Sequence, residues 1–281
     1  MKEDVEVLEL NGSRITLLLE GFHIAFGNAI RRLVLSDVPT MAVDYVYFYD
    51  NTTNTYDEII AHRLGLLTLK SDEAIHKYKP PEECKDKDET NTECFVQVYL
   101  EKSVEEELNG LYIKASDLKF SDEAIEPVYL DTPIAFMAPG QRIHLVGYAR
   151  LGRGKEHGKW SPASVSILQY MPLVDVKGDV ASEECLKCVS SYKEVSEAIK
   201  SKETKTIEYK KNINTSGLRY CEESVCNDAI KVRYDKSRLL LTVESNGSLG
   251  PQQIILEASK ILDKRVEKLL EALEEMGEDN E

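Results

Sequence analysis

Four cysteines in the second half of the chain are the residues whose spacing could do chemistry. Cys185 and Cys188 form a C-x-x-C pair, and Cys221 and Cys226 follow later in the sequence. A C-x-x-C spacing can place two sulfurs on one metal ion, and two further thiolates could complete a tetrahedral set. The same residues could instead be free thiols or disulfides, so the sequence leaves the alternatives open.

Two more cysteines, Cys84 and Cys94, accompany the polar, proline-marked stretch 79–93. Such a composition is typical of an exposed loop. Two cysteines are too few to form a metal site alone, so a disulfide or two free thiols is expected here.

Other motifs that would indicate an enzyme are missing from the sequence. The run Gly152-Arg153-Gly154-Lys155 is followed by Glu156, whereas a phosphate-binding loop needs G-x-x-x-x-G-K-[ST]. The five histidines are scattered, and no short D-x-D-x-D run is present to hold the paired metals of a polymerase centre. We therefore predict no catalytic residues in this chain.

The net charge of the chain argues against nucleic acid as a direct partner. The 281 residues include 50 acidic and 35 basic side chains, which gives a formal net charge of -15. Because phosphate contacts dominate nucleic-acid affinity, independent DNA binding is not expected. No run reaches the roughly 20 apolar residues of a membrane span, and the charged N-terminus differs from a signal peptide, so we expect a cytoplasmic protein.

The elements that must position these residues follow an α+β pattern without regular βαβ alternation. Residues 5–10 and 14–20 are predicted to form a hairpin around a glycine-containing turn. Apolar spacing predicts a helix over 24–36, a strand over 42–49 and a helix over 57–67.

The second half of the chain begins with a change of character. Residues 173–228 are charged and lysine-rich and hold four of the six cysteines, so we interpret them as a separate small insert. Residues 230–234 and 238–244 are predicted to form a second hairpin. A long helix follows from Pro251, which fits a first helical turn because its missing N–H costs nothing there.

The long helix carries an apolar stripe that repeats every seven residues. At 1.5 Å per residue, roughly 25 residues span about 38 Å, which is longer than the face of a four-stranded sheet. Packing against the chain's own sheet is the usual role of such a stripe, but here part of it is expected to dock on another chain. The stripe consists of Ile255, Leu262, Val266, Leu269, Leu273 and Met276.

Three stretches together resemble a known family, the α-type subunits of DNA-dependent RNA polymerase. Residues 26–33, FGNAIRRL, with SDVP at 36–39, resemble the signature helix of bacterial α, the third subunit of eukaryotic RNA polymerase II and their archaeal counterpart. Residues 56–66, YDEIIAHRLGL, and 149–160, ARLGRGKEHGKW, resemble segments shared by the archaeal and eukaryotic members. The motifs occur in the family's order, and the resemblance, which is greatest to the archaeal members, covers essentially the whole chain.

The resemblance implies a particular architecture. A discontinuous dimerisation domain of a sheet and long helices is expected from residues 1–40 and 229–281. A mainly-β insert domain is expected from 41–172, and a ferredoxin-like cysteine-bearing insert from 173–228.

The resemblance also implies a role in transcription. The chain would be a non-catalytic assembly platform that forms a heterodimer with the small subunit L. With small subunits N and P, this heterodimer would hold the two large catalytic subunits, and DNA and RNA would be met only in the assembled enzyme.

The matched motifs and the helix stripe supply the predicted partner-binding residues. Trp160 is expected to be exposed among glycines, in a segment that contacts the second-largest subunit, because tryptophan and arginine are favoured at interface hot spots. The apolar stripe is expected to contact L. The set is Asn28, Arg31, Arg32, His62, Arg63, Arg153, Lys155, His157, Lys159, Trp160, Ile255, Leu262, Val266, Leu269 and Leu273.

Some archaeal members carry iron–sulfur clusters in the insert, which implies a 3Fe-4S or 4Fe-4S cluster, or zinc, as a candidate cofactor on Cys185, Cys188, Cys221 and Cys226. Those members have C-x-x-C-x-x-C runs, whereas Ser224 stands here where a third thiolate would be. The alternative function, a free-standing iron–sulfur redox or metal-binding protein, rests on these cysteines alone.

Overall fold

A computed structural model of the chain describes residues 3–105 and 110–278. It has the mixed α+β architecture that the sequence predicts. The strands are β1 Asp4–Asn11, β2 Arg14–Glu20, β3 Pro39–Asn51, β4 Phe95–Ser103, β5 Leu111–Lys114, β6 Lys119–Phe120, β7 Pro133–Met137, β8 Arg142–Arg153, β9 Ala163–Lys177, β10 Thr204–Glu208 and β11 Ile230–Ser245. The helices are α1 Ile24–Ser36, α2 Asp57–Gly65, α3 Ala74–Lys77, α4 Pro81–Cys84, α5 Glu183–Cys188, α6 Lys193–Lys200, α7 Ser216–Ser224 and α8 Pro251–Glu278.

The strands form three sheets. Their orders are β1-β2-β11-β9-β10, β3-β8-β4-β6 and β5-β7. Strands β1 and β2 pair antiparallel with Asn11 opposite Arg14, which confirms the predicted N-terminal hairpin. Helix α1 confirms the helix predicted over 24–36, and the strand predicted over 42–49 lies within β3.

Spatial proximity divides the chain into two compact units. The first contains the N-terminal residues to Arg31 and Ser166–Val243, and the second contains Arg32–Val165 and the chain from Glu244 onward. These units do not map one to one onto the three domains predicted from the sequence. The domain boundaries near residues 40, 172 and 228 therefore stay a prediction.

Within the first unit, the cysteine-bearing insert has a small core of its own. Val195 on α6 and Leu218 on α7 are fully buried, and they belong to one apolar cluster with Val174 and Val176 of β9. All four candidate metal-binding cysteines belong to the same cluster, three of them buried and Cys188 partly buried. The insert is therefore organised around its sulfur atoms.

The core of the second unit lies between helix α2 and the four-stranded sheet. Ile60 and Leu64 of α2 share one buried cluster with alternate residues of β8, including Ile143 and Leu145. Because successive side chains of a strand point to opposite faces, this pattern buries one face of the sheet and leaves the other open to solvent.

The prediction of a second hairpin was wrong. Ile230–Ser245 is one continuous strand of 16 residues. The polar stretch at its middle is held by local bonds, since Asp235 accepts hydrogen bonds from the backbone N–H of Ser237 at 2.9 Å and from its hydroxyl at 2.6 Å, and pairs with Arg238. These contacts satisfy the polar groups without a chain reversal.

The helices of the described ranges do not meet the requirements of a membrane span. Among residues 3–105 and 110–278, none is both long enough and apolar enough to cross a membrane.

Candidate protein-binding site

Helix α1 places its three predicted contact residues in different surroundings. Asn28 is half-buried, and its Oδ1 accepts a hydrogen bond from Nε of Arg31 at 2.9 Å. Arg32 is exposed, while Ile30 and Leu33 are buried and anchor the helix. Arg31 is thus oriented by its own helix, and Arg32 presents its charge to solvent.

Helix α2 carries the next two predicted residues. Its buried residues Ile60 and Leu64 fix the helix on the core. His62 and Arg63 lie on the exposed side, and Arg63 donates a hydrogen bond to the carbonyl oxygen of Ile134. His62 is therefore the more available of the two for a partner.

The expectation that Trp160 is exposed was wrong. Its side chain is buried, with 3% of its surface accessible. The guanidinium of Arg150 lies 4.5 Å from the ring centroid and the ammonium of Lys159 lies 4.2 Å from it. Cation–π attraction therefore holds the two cations on the indole. Trp160 thus stabilises the residues around it as a buried side chain.

Asp44 completes this cluster on strand β3. One carboxylate oxygen accepts from Arg150 Nε and the other from Lys159 Nζ, both at 2.7 Å. Burial tends to raise the pKa of Asp44, but the hydrogen bonds from Lys159 and Arg150 outweigh it, so the pKa is lowered. Lys159, predicted to contact a partner, is thus engaged within the chain.

A second ion-pair cluster joins the end of β8 and the residues that follow it to the end of α1 and to α8. Arg153 binds both carboxylate oxygens of Glu82, at 2.7 and 3.0 Å, and this contact lowers the pKa of Glu82 to about 2. Arg153 also donates to the backbone oxygen of Asp37. The buried carboxylate of Asp37 pairs with Arg265 and lies 3.8 Å from Lys155.

Lys155 and His157 are the predicted residues of this segment that remain accessible. The Lys155 side chain is half exposed. His157 is exposed, and its Nδ1 accepts a hydrogen bond from the backbone N–H of Lys159 at 3.0 Å. This bond leaves the other ring nitrogen, Nε2, facing outward on a fixed ring.

Helix α8 changes from buried to exposed along its length. Ile254 and Ala258 are completely buried, and Ile255 and Leu262 are half-buried. Beyond Leu262 every residue whose side chain is described, through 275, is exposed. The stripe predicted from the seven-residue repeat is therefore divided into a packed beginning and an uncovered end.

The uncovered end carries four large apolar side chains. Leu270 was missed by the seven-residue repeat, although its spacing of four from Val266 would have found it. Each is between 48% and 60% exposed, an unusual density of apolar surface on one helix. We refer to these residues as the apolar end of α8: Val266, Leu269, Leu270 and Leu273.

A family model described as the RNA polymerase Rpb3/Rpb11 dimerisation domain matches residues 16–266 of the chain. The chain belongs to this family. The match runs from β2 into α8 and includes all three motifs, so the resemblance to α-type polymerase subunits is confirmed.

Family members from several archaea align along almost their whole length. The relative from Aeropyrum pernix, named DNA-directed RNA polymerase subunit Rpo3, is 52% identical over 274 residues and covers 97% of this chain and 96% of its own. Relatives with the same name from Pyrococcus furiosus and Methanothermobacter thermautotrophicus are 32% and 30% identical, covering 97% and 95% of this chain and 98% and 97% of their own.

The candidate metal-binding cysteines are brought together as two disulfides. Cys185 is bonded to Cys226 and Cys188 to Cys221. A cysteine binds a metal ion as its thiolate, so in this oxidised form the four sulfurs fit neither zinc nor a cluster. In the described ranges, no group of three or more His, Cys, Asp or Glu is arranged to hold a metal ion. Metal binding by the reduced chain stays a hypothesis.

Proposed function

We propose that this chain is the non-catalytic assembly-platform subunit of a cytoplasmic DNA-directed RNA polymerase. The observation that carries the proposal is the apolar end of α8, an uncovered apolar surface in a chain that belongs to a dimerisation-domain family. The relatives named as polymerase subunits support the assignment to transcription. The chain would contribute to nucleotidyl transfer only as part of the assembled complex.

The partner proposed for the apolar end of α8 is the small subunit L. Fully burying a large apolar side chain contributes about 1.5–3 kcal/mol, and because these four are already about half covered, they supply roughly 3–6 kcal/mol before the cost of association. This gain favours pairing with a partner that offers a matching apolar surface. The small subunits N and P and the large subunits would then assemble on this heterodimer.

The large subunits are proposed to contact the polar residues that remain accessible. Arg32, His62, Lys155 and His157 are exposed, whereas Arg153, Lys159 and Trp160 are engaged within the chain. We infer that the first group makes contacts and that the second group holds the segment after β8 in shape.

Co-expression with L tests the proposal. The chain and L are expected to elute from size exclusion as a one-to-one heterodimer. The variant Leu269→Asp with Leu273→Asp should lose this pairing, because two buried carboxylates would be uncompensated. Leu256→Asp is the matched control, since Leu256 is 59% exposed on the same helix but lies outside the apolar end.

A chain that stays monomeric in the presence of L would refute the proposal. A heterodimer that survives the double substitution would leave the platform role in place but show that α8 is not its contact.

A further inference from the structure

The open face of the four-stranded sheet carries aromatic rings where charged side chains would be expected. On β3, the exposed residues alternate with Val46 and Phe48, which pack on the core. Strands β4 and β8 add further rings on the same side. We call this surface the tyrosine face: Tyr45, Tyr47, Tyr49, Tyr99, His144 and Tyr148.

The rings form one continuous surface across three strands. Tyr47 of β3 and Tyr99 of β4 both lie opposite Val146 of β8 in the strand register. Tyr49 stacks on His144 with ring centroids 4.9 Å apart, and Tyr47 meets the edge of Tyr148 at 5.9 Å. The rings thus hold one another in place before any partner arrives.

The tyrosines that β3 contributes to this face are exposed to solvent rather than buried in a core. Tyr47 is 48% and Tyr49 68% exposed. Tyrosine is enriched in protein interfaces, because it combines a large apolar ring with a hydroxyl that tolerates water until the partner binds. Contiguous exposed aromatic surface of this kind marks a binding site.

An acidic loop borders the face. The Cys84–Cys94 disulfide closes residues 85–93, which contain four carboxylates and two lysines. The hydroxyl of Tyr47 donates a hydrogen bond to Glu89 of this loop at 2.9 Å, and Tyr148 packs against the disulfide and Phe95. The disulfide therefore fixes negative charge beside the rings.

Cations at the other end of the face do not offset this charge. Arg142 is paired with Asp50, and Lys102 is paired with Asp117 at 2.6 Å. Glu101 and Lys119 add one charge of each sign. The surface is negative as a whole, so stacking of RNA bases on the tyrosines would bring phosphates toward carboxylates.

We propose that the tyrosine face docks a basic segment, bearing arginine or lysine, from another protein subunit. Cations bind favourably over tyrosine rings, and the acidic loop adds long-range attraction for the same charge. The proposal rests on the proposed function in taking that subunit from the polymerase.

Photo-crosslinking tests the proposal in the assembled enzyme. Benzoylphenylalanine is placed at Tyr49 and the chain is reconstituted with L and the remaining subunits, and the linked peptide is identified by mass spectrometry. A linked protein segment of net positive charge is the expected result. A link to RNA or DNA, a link to a neutral or acidic segment, or no link in an assembled enzyme would overturn the proposal.

The two proposals fail separately. A chain that pairs with L and joins the enzyme while Tyr49 stays unlinked overturns only the docking proposal. A chain that joins no polymerase subunit overturns both.

Variants measure the contribution of rings and charge. The identified segment, as a labelled peptide, should bind the Tyr47→Thr, Tyr49→Thr variant about tenfold more weakly, as expected for interface aromatics. Tyr112→Thr is the control, since Tyr112 is 61% exposed on β5 beside another ring, that of Phe136. Asp86→Asn with Glu89→Gln should weaken binding at low salt only. Equal affinity of all variants would contradict the proposal.

Discussion

Glycines at the end of β8 and in the residues that follow it show how closely this part of the chain is packed. A Cβ at Gly152 would lie 2.2 Å from ring atoms of Trp160, and one at Gly154 would lie 2.0 Å from the carbonyl oxygen of Leu35. A Cβ at Gly158 would meet nothing within 4 Å. Gly152 therefore allows the indole of Trp160 to approach the backbone, and Gly154 allows the backbone at Leu35 to do so. Gly158 does not have this role.

Gly152→Ala is expected to lower the free energy of unfolding by about 1–3 kcal/mol, because the indole must move from its two cations. The measurement is urea unfolding monitored by the fluorescence of Trp160, the single tryptophan. Gly158→Ala is the control and should stay within about 0.5 kcal/mol of the parent chain. Equal stability of the two variants would show that the ring has room to shift.

Asp44→Asn is expected to destabilise the chain by about 3 kcal/mol at pH 7, because Arg150 and Lys159 would be left beside the indole without their counter-ion. The lowered pKa of Asp44 stabilises the fold above the unfolded pKa of about 3.9, and this contribution is lost as pH falls through the folded pKa. The difference between parent and variant should therefore shrink below about pH 4.

Urea unfolding at pH 7 and pH 3 measures this difference. Asp131→Asn is the matched control, since Asp131 pairs with Lys114 at 2.7 Å but is almost fully exposed. It should leave stability nearly unchanged at both pH values. A constant difference between Asp44→Asn and the parent across this range would contradict the assignment.

At this scale, sequence reasoning selected residues 152–160 as an interface, which stays a prediction, and it misjudged the surroundings of Trp160. The composition of residues 152–160 indicated an interface, and Trp160 was expected at its surface. The structure instead places the indole under Arg150 and Lys159, with Asp44 as counter-ion. Asp44 lies far away in sequence, so no local pattern could have revealed this cluster.

At the scale of elements, regular patterns were predicted well and polar interruptions were not. The N-terminal hairpin and helices α1 and α8 were predicted because their apolar residues recur at the spacing that places them on one face of the element. Strand β11 was divided wrongly, because Asp235 and Ser237 look like turn residues in the sequence. Their side chains satisfy each other within a continuous strand, which depends on pairing partners distant in the chain.

The disulfides of the insert offer an element-scale prediction. Replacing all four cysteines of the insert by alanine should lower stability by at least about 4 kcal/mol, since their two nested bonds close loops of 41 and 33 residues. Replacing Cys84 and Cys94, which are separated by 10 residues, should cost about 3 kcal/mol. Thermal unfolding of each variant measures which one loses more stability. The reverse order would mean that packing around the disulfides outweighs the entropy of the unfolded chain.

Metal analysis of the parent chain tests the metal hypothesis. Iron, sulfide and zinc are measured in chain purified with and without reductant. Stoichiometric metal in the reduced chain alone would show that the four cysteines of the insert can exchange disulfides for ligation. Metal-free protein in both preparations would remove the hypothesis.

At the scale of the whole molecule, the order of the three motifs was sufficient to predict the family, and the match over residues 16–266 confirms it. Partners for individual surfaces were predicted only from the resemblance and not from the residues themselves, because complementarity depends on a second chain. The tyrosine face illustrates this limit, since its residues were interpreted only as a strand.

The charge of the whole chain predicts that it does not bind DNA alone. Fluorescence anisotropy with a labelled duplex at about 50 mM salt should show no binding at micromolar concentration, because the net charge of -15 repels phosphates. The assembled polymerase, bound to the same duplex, is the positive control. Saturable binding of the isolated chain near 1 μM, the strong end of non-specific affinities, would contradict the prediction.

The apolar end of α8 also has a consequence for the amount of the chain that would persist in the cell. Exposed leucines are the features by which chaperones and proteases recognise unfinished proteins, and a chain without its partner displays four large apolar side chains on one helix. Copies made in excess would be removed, whereas paired copies would be protected. The helix proposed to contact the partner would thereby also keep the amounts of the two subunits matched.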